Sequence, residues 1–438
     1  MLTRLKLRGM ERWQRTLWIM FFAQMCSAVG YSIIFPFLPL YVEDLGTHTN
    51  LSIEFWAGMV FSAQAVTMMI ASPVWGALAD RYGRKLMVER ATFGGTIIIS
   101  LMAFAGSAEE LVILRAIQGM ITGTVAAANA LVAANAPRHR TGYAMGVIQV
   151  SLWSGVALGP LIGGVLADMF GFRVPFLITG GMLFFAGLMV HFGVQEDFTP
   201  EAKSNNKKKS ILNEWRGIFA MPGVPQTYTV RFLAGLSRSM LVPITPLFVA
   251  YLLAQGTPGL VPSVFENVTS SAAHISTITG LVVGIASFTA TFSGVYLGRL
   301  GDKIGHRQVL IGSSLAAIAF YLPQAFVTQA WQLIILQGLA GLAVGGIVAA
   351  PSALLAQYTH PGEEGAVYGL DNSVLAAARA IAPLVGASVA FWLGLRYTFA
   401  ATSILFGVML IVVIFLLPKH TIVHQQPMEM VEASPLPV

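Results

Sequence analysis

A charged turn that occurs twice, each time between long apolar segments, constrains this 438-residue chain more than any other feature. The first copy, GALADRYGRK, runs from Gly76 to Lys85, and the second, GRLGDKIGHR, runs from Gly298 to Arg307. Glycine and aspartate positions match between the copies at one offset of 222 residues, about half the chain. Apolar runs of about 20 residues, long enough to cross a bilayer, flank each turn. The pattern predicts a duplicated membrane protein.

The composition agrees with a membrane protein. Hydrophobic residues form 55% of the chain and charged residues 11%, whereas soluble domains average about 25% charged residues. The apolar runs are too long and uninterrupted for the strands of a membrane barrel. Twelve helical spans are predicted near residues 17–42, 56–79, 86–106, 111–135, 142–168, 174–194, 225–254, 275–300, 308–328, 331–357, 365–393 and 396–418.

Further matches extend the internal repeat beyond the charged turn. GYAMG at 142–146 matches GAVYG at 365–369, and GPLIG at 159–163 matches APLVG at 382–386. Parallel six-helix repeats, related by an axis along the membrane normal, place a site between them near the midplane. The predicted fold is therefore all-α and integral to the membrane, with twelve transmembrane helices in two pseudo-symmetric six-helix bundles around a central cavity.

Composition shifts divide the chain into five segments. The two bundles are joined by a polar linker, and the tail is expected to be disordered. The segments are a cytoplasmic lead-in (1–16), the N-terminal bundle (17–194), a cytoplasmic linker (195–224), the C-terminal bundle (225–418) and a cytoplasmic tail (419–438).

Basic residues predict the orientation of the chain. The predicted outer loops hold only Arg173 and Arg396, and most of the other Lys and Arg residues flank the opposite ends of the spans. The positive-inside rule then places both termini in the cytoplasm. Because the basic residues follow the membrane face, nucleic acid is excluded as a partner. The expected location is a cell membrane, the inner membrane in a bacterium.

Several other functions are excluded by missing motifs. The sequence has no GxxxxGK[ST] loop for ATP, no Cys/His cluster for a metal, and no nucleophile and base arrangement for an enzyme. No cofactor is expected.

Three motifs together carry a resemblance to a known family. GALADRYGRK resembles the loop 2–3 signature of the major facilitator superfamily, LRAIQG at 114–119 resembles its span-4 motif, and GVALGPLIGG at 155–164 resembles the span-5 motif of its drug:proton antiporters. With SIIFPFLPLYV in span 1, these motifs suggest the MdtG type of bacterial multidrug exporter. The resemblance covers essentially all of the chain. It implies a monomer in the bilayer that exports small amphipathic compounds in exchange for protons, driven by the proton gradient, by alternating access.

The repeated turn has two interpretations. The resemblance implies a latch at the inner gate, in which glycines allow unusual dihedrals and charges pair or meet helix ends. The alternative is a signal that only keeps the loop inside. In several relatives an acid ends span 4, but 131–136 reads LVAANA here, so the partner is sought at the start of span 11. The candidate gate residues are Gly76, Asp80, Arg81, Gly83, Arg84, Lys85, Gly298, Asp302, Gly305 and Arg307.

The span-5 motif is also open to two interpretations. Gly155, Gly159 and Gly163 recur at a spacing of four, which lets two helices pack closely. The motif, with Pro160 and Gly164, is either ordinary helix packing or, as the resemblance implies, a seam that seals one end of the transport path against the other half.

Ionisable residues inside the membrane are costly and usually functional. Asp371 lies seven residues into span 11, about 10 Å deep, and is the candidate site for a proton or a cationic substrate. The alternatives are that it pairs with a buried arginine or lies nearer the inner interface. Arg115 matches the family's span-4 arginine and would affect proton handling. Arg231 is expected to reach the inner interface and is excluded from the cavity.

The remaining polar residues within spans are candidates for the cavity wall. Arg115, Arg238 and Arg379 outnumber Asp371, so the predicted cavity favours neutral, amphipathic or anionic cargo over purely cationic cargo. A proton-independent facilitator or exporter of lipid-like compounds or metabolites is the alternative transport function, and a receptor or scaffold is the alternative of another class. The candidate lining residues are Tyr31, Gln64, Asn129, Gln149, Trp153, Arg238, Asn372 and Arg379.

Overall fold

The computed structural model describes most of both bundles. The described residues are 11–121, 123, 128–129, 131–132, 135, 137, 140–196, 211–255, 274–359 and 364–418. The predictions for most of the lead-in, for the disordered tail and for the polar start of the linker lie outside these residues.

Helices occupy every predicted span within the described residues. The N-terminal half contains α1 (Arg12–Ile33), α2 (Leu38–Leu45), α3 (Ile53–Tyr82), α4 (Arg84–Met102), α5 (Ala108–Ile121), α6 (Thr141–Phe170) and α7 (Arg173–Gly193). The linker contains α8 (Ile211–Ala220). The C-terminal half contains α9 (Val224–Ser239), α10 (Ile244–Gln255), α11 (Ile275–Ile304), α12 (His306–Tyr321), a 3₁₀ turn (Leu322–Phe326), α13 (Ala330–Tyr358), α14 (Glu364–Leu393) and α15 (Leu395–Phe415).

The all-helical membrane fold is confirmed. Ten stretches of the described residues are helical, long and apolar enough to cross a membrane. Such helices suit a bilayer because all their central backbone groups are hydrogen-bonded within the helix.

Two predicted spans are each broken into two α-helices. The first span breaks between α1 and α2, and the seventh breaks between α9 and α10. Pro36 and Pro243 lie in these two breaks. Proline has no N–H to donate and its ring obstructs the preceding turn, so each break has a local cause. The linker also differs, because α8 was not predicted within it.

The motif helix α6 packs against α1 of its own half through the three glycines at a spacing of four. A Cβ added at Gly159 would overlap the Ser32 side chain, and one added at Gly163 would overlap the Ile33 carbonyl oxygen. The Ser32 hydroxyl donates a hydrogen bond of 3.0 Å to the Gly155 carbonyl across this contact. These three glycines therefore serve helix packing within one half.

The two halves meet mainly along two helix pairs, α6 with α11 and α3 with α14. The close contacts lie toward the predicted outer ends: a Cβ on Gly58 would approach the Pro383 carbonyl oxygen to 2.9 Å. Toward the predicted inner ends, Gly146, Gly298 and Gly369 face open space. The described halves are thus in contact toward the outer mouth, whereas an added Cβ would meet no neighbour at these three inner-end glycines.

The packing of α6 on α1 predicts a position-specific effect of alanine. We expect Gly163→Ala to lower the free energy of unfolding by about 1–3 kcal/mol, because the added methyl group meets backbone that cannot rotate away. Gly407→Ala is the matched control, since nothing lies within 4 Å of an added Cβ there. This control should be neutral or gain up to about 1 kcal/mol from helix propensity. Thermal unfolding in detergent measures both, and equal effects would contradict the packing assignment.

Candidate functional site

The two charged turns share the same backbone geometry. Gly83 has a φ of 97° between α3 and α4, and Gly305 has a φ of 98° between α11 and α12. Only glycine adopts such values without strain, so these two positions require glycine in both repeats. The unusual dihedrals expected at this turn are present in the described structure.

An acid that sequence reasoning missed binds the start of α4. The Glu196 carboxylate accepts hydrogen bonds from the N–H groups of Arg84 (3.0 Å) and Lys85 (2.8 Å). A carboxylate is favoured at a helix N-terminus, where the N–H groups carry partial positive charge. Glu196 follows span 6 at the start of the polar linker, and nothing in its local sequence distinguishes it from a solvated loop acid. The side chain of Asp80 and the surroundings of Gly76 lie outside what the structure describes.

The second turn uses a different acid. Asp302 lies 3.2 Å from the Nε2 atom of His306, and His306 occupies the position that matches Arg84. His306 is 5% exposed in its side chain, whereas Asp302 is 73% exposed. The two turns thus pair their charges differently on the same backbone. In the first turn, Arg81 lies exposed near the Tyr82 ring.

The matched basic residues Lys85 and Arg307 make matched contacts. The Lys85 ammonium donates a hydrogen bond of 2.8 Å to the His191 carbonyl, and the Arg307 guanidinium donates one of 2.8 Å to the Ile414 carbonyl. Both carbonyls lie near the end of the last helix of their half. Bases favour helix C-termini, and these contacts tie helices within each half.

Asp371 lies in a buried ion pair. The Nε–H group of Arg231 donates hydrogen bonds to both carboxylate oxygens of Asp371, at 2.9 Å to Oδ1 and 3.1 Å to Oδ2. The Nη2 group of Arg231 donates a third hydrogen bond of 2.8 Å to Oδ2. The same guanidinium donates to the Val348 carbonyl at 3.0 Å and to the Ser352 hydroxyl at 2.7 Å. Arg231 therefore connects α9, α13 and α14. Of the sequence alternatives for Asp371, pairing with a buried arginine matches the structure.

The expectation that Arg231 reaches the inner interface was wrong. Its side chain is 13% exposed and turns toward Asp371 rather than toward the inner interface. Hydrogen bonds between charged groups are strong, and the Arg231 guanidinium has a carboxylate, a carbonyl and a hydroxyl within hydrogen-bonding distance. These partners hold the side chain inside the protein. The two partners lie 140 positions apart, so the sequence alone does not reveal this pairing.

Arg115 is buried in the N-terminal half among neutral partners. It is 1% exposed and donates to the Gln64 amide oxygen at 3.0 Å and to the Gln118 amide oxygen at 2.8 Å. Its guanidinium also lies 5.6 Å from the centre of the Phe61 ring. Arg115 and Gln64, predicted separately, therefore belong to one network with Gln118.

The other predicted cavity residues fall into two groups. Tyr31 and Asn129 are partly buried, whereas five residues are exposed although they lie well inside their predicted spans. A charged group in the middle of a membrane span is costly against lipid, so we expect both exposed arginines to face a polar environment. The charge of Arg379 interacts with those of Arg238 and Arg231. The exposed five are Gln149, Trp153, Arg238, Asn372 and Arg379.

The remaining residues of the span-5 motif contact the other half. A Cβ added at Gly164 would overlap the Ser276 carbonyl oxygen of α11, and one added at Gly280 would overlap the Pro160 carbonyl oxygen. The motif thus makes contacts within its own half and with the other half, through different residues. Gly155, Gly159 and Gly163 pack on α1, and Pro160 and Gly164 form the seam with α11.

A carboxyl group with a strongly shifted pKa lies at the outer mouth, just beyond the first predicted span. Burial raises the pKa of Glu43 from its ordinary value of 4.5 to about 7, and the charges of Glu54 and Asp44 add to this shift.

Among the described residues, no group of three or more His, Cys, Asp or Glu side chains could hold a metal ion.

The buried pair predicts a non-additive effect on stability. We expect Asp371→Asn to lower the free energy of unfolding by about 3–5 kcal/mol, because it leaves the Arg231 charge buried and unpaired. The double variant Asp371→Asn with Arg231→Gln should recover part of this loss, since no charge then remains. Denaturation in detergent of both single variants and the double variant measures the coupling. Additive losses would show that the pair does not act as a unit.

The shifted pKa of Glu43 predicts a pH dependence of stability. The folded chain favours the neutral carboxyl group, so its contribution is retained below pH 4.5 and is lost as the pH rises through about 7. We expect Glu43→Gln to flatten the unfolding temperature across this window, with Glu110→Gln as a control at another outer-end acid. An unchanged pH profile for Glu43→Gln would contradict the shift.

Comparisons with known proteins agree with this architecture. The model of the Major Facilitator Superfamily matches residues 20–265 and 227–437. The multidrug resistance protein MdtG of Enterobacter lignolyticus (strain SCF1) is 34% identical over 395 residues, which cover 89% of each chain. MdtG of Salmonella schwarzengrund (strain CVM19633) is 33% identical over 395 residues, covering 89% of this chain and 92% of the relative.

Solved structures show the same fold at low sequence identity. An inward-facing, occupied bacterial homologue of the human lysosomal transporter Spinster has a TM-score of 0.72 at 14% identity, covering 93% of this chain and 97% of its own. The nucleoside transporter NupG has a TM-score of 0.73 at 12% identity, covering 92% and 99%. With its apolar helices, repeated charged turn and span-5 seam, this multi-pass membrane transporter belongs to the Major Facilitator Superfamily.

Proposed function

We propose that the chain exports small amphipathic compounds in exchange for protons by alternating access. The similar relatives are multidrug resistance proteins by name, which supports efflux. The single observation that carries proton coupling is the buried Asp371–Arg231 pair, a titratable group that connects three helices of one half. The proton gradient is the energy source, the chain acts as a monomer, and both termini face the cytoplasm of a bacterial inner membrane.

Protonation of Asp371 changes the forces within the C-terminal half. The neutral carboxyl group no longer balances the Arg231 charge, so the ionic contribution that holds α14 against α9 and α13 is lost. A two-state transporter needs such a change, because a proton drives a conformational equilibrium only by binding its two states with different affinity. Arg115 supports this step from the other half, where its buried charge opposes a second cation in the cavity.

Arg238 and Arg379 support recognition of cargo that carries a negative or strongly polar group. Both are exposed inside their predicted spans, where a charge is costly against lipid, and arginine presents several N–H donors to a carboxylate or phosphate. Trp153, 37% exposed, offers an apolar surface to the rest of an amphipathic molecule. Gln149 and Asn372 add neutral hydrogen-bonding groups. The cavity therefore suits amphipathic anions or neutral compounds better than cations.

Proton coupling is tested by flux into proteoliposomes. We expect an imposed pH gradient to drive cargo uptake, cargo to move protons in return, and Asp371→Asn to abolish the effect of the gradient while residual exchange remains. Glu110→Gln is the control, because Glu110 is an exposed acid outside the buried pair and outside both charged turns. Cargo flux that ignores the gradient in the parent protein would favour the proton-independent facilitator. Absence of saturable flux for every cargo would favour a receptor or scaffold.

Cargo charge is tested with an amphipathic carboxylate and its neutral methyl ester. We expect Arg379→Gln and Arg238→Gln to raise the KM for the carboxylate by about tenfold, as expected for losing a hydrogen bond between charged groups. The KM for the ester should change less than about twofold. Arg299→Gln, at an exposed arginine near the inner end of α11, is the control. Equal losses for both compounds would contradict charge recognition.

A further inference from the structure

Asp168, at the outer end of α6, caps a helix of the opposite half. Its Oδ1 atom accepts a hydrogen bond of 3.1 Å from the Ser276 N–H, and its Oδ2 atom accepts one of 2.7 Å from the Thr277 N–H. Both N–H groups belong to the first turn of α11, where they have no partner within the helix. A carboxylate also interacts favourably with the positive end of the helix dipole.

The matching helices of the two repeats are capped from different places, α3 by a residue of its own half and α11 by a residue of the opposite half. In the N-terminal half, α3 is capped by its own Ser52, whose hydroxyl accepts a hydrogen bond of 3.3 Å from the Phe55 N–H. The residue that matches Ser52 at the offset of 222 is His274, which precedes α11 and makes no side-chain cap. His274 also has a φ of 87°, a left-handed value that is uncommon for residues with a side chain. Thus the N-terminal cap of α11 is supplied by Asp168 of the opposite half, whereas the cap of α3 is supplied by its own Ser52.

The matching position on the other seam carries no acid. At the offset of 223, Asp168 corresponds to Phe391, which is 57% exposed. Among the described residues, a charged cap therefore occurs at the seam of α6 with α11 and not at the matching position of α3 with α14. A feature that fold symmetry does not require points to a separate role.

The cap depends on close approach of the halves. Around it, Gly164 lies against the Ser276 carbonyl, and a Cβ added at Gly284 would approach Leu161 to 2.7 Å. A hydrogen bond weakens steeply beyond about 3.2 Å. The two N–H groups therefore keep their partner only while α6 and α11 remain in contact, and any separation at the outer mouth leaves them to water.

We infer that Asp168 is an outer-gate lock whose carboxylate selectively stabilises the conformation closed at the outer mouth. Opening this mouth breaks two charge-assisted hydrogen bonds and uncaps α11, so Asp168 sets the balance between the two states. The inference rests on the alternating access proposed above. The lock involves neither cargo binding nor proton transfer, and its test measures whether the outer mouth is open or closed.

The test places a reporter on the other seam. In a Cys26→Ser background, which removes the single cysteine, Ala387→Cys introduces a thiol at a position that is 2% exposed and packs against Gly58. A membrane-impermeant maleimide added from outside labels it only when the outer mouth opens. We expect Asp168→Ala to label about tenfold faster than the parent. Asp44→Ala, at an exposed acid of the same mouth, should label at the parental rate.

A second substitution separates the lock from ordinary helix capping. In the Asp168→Ala background, His274→Ser gives α11 its own cap, as Ser52 does for α3. We expect this double variant to regain thermal stability and still to label rapidly. If Asp168→Ala alone fails to fold, the double variant and Asp168→Asn, which keeps one carbonyl acceptor and should label at an intermediate rate, carry the test.

Two results would overturn the inference. Parental labelling rates in folded Asp168→Ala would show that the contact does not affect the gate. Return of the double variant to the parental rate would show that Asp168 only prevents fraying of α11. Labelling requires neither cargo nor a pH gradient, so absence of flux would count against the proposed function and leave the lock assignment standing. Rapid labelling of Asp168→Ala and of the double variant, together with proton-coupled flux in the parent protein, supports both the lock assignment and the proposed function.

Discussion

The structure depends on one constraint: a polar group inside the membrane must find its partner within the protein. Water offers none there, and lipid tails accept no hydrogen bonds. Arg231 shows the consequence, because its guanidinium on α9 is satisfied by groups on two other helices, α13 and α14. Arg115 shows a weaker solution, with two amide oxygens in place of a carboxylate. The distribution of such partners decides which helices can move apart and which cannot.

The internal duplication has conserved the backbone and diversified the charges. Gly83 and Gly305 have nearly the same φ, and Lys85 and Arg307 bind matching carbonyls at the ends of the two bundles. The ion pair at Asp371 has no matching acid in the first repeat, where the equivalent position reads Ile148. Symmetry thus supplies a scaffold with two similar seams, while the charged contacts differ between the halves.

The two ends of the molecule are stabilised by different interactions. At the inner side, the described charged contacts bind helices within one half, so they make each bundle rigid. At the outer side, backbone contact between α6 and α11 and the Asp168 cap join the two halves. A transporter that alternates between two states needs rigid bundles and a breakable seam, because small changes are amplified only when the moving parts are themselves stiff.

The sequence by itself determined the twelve spans, the two repeats and the family, because apolar length and the charged turns are properties of neighbouring residues. It also identified Asp371 as a buried acid from its depth in one span. Only the tertiary structure decided which charges meet. Arg231 lies 140 residues from Asp371, and Asp168 lies 108 residues from Ser276. Such pairings depend on the rotation and separation of packed helices, and helical periodicity shows which face a residue occupies but not what that face contacts.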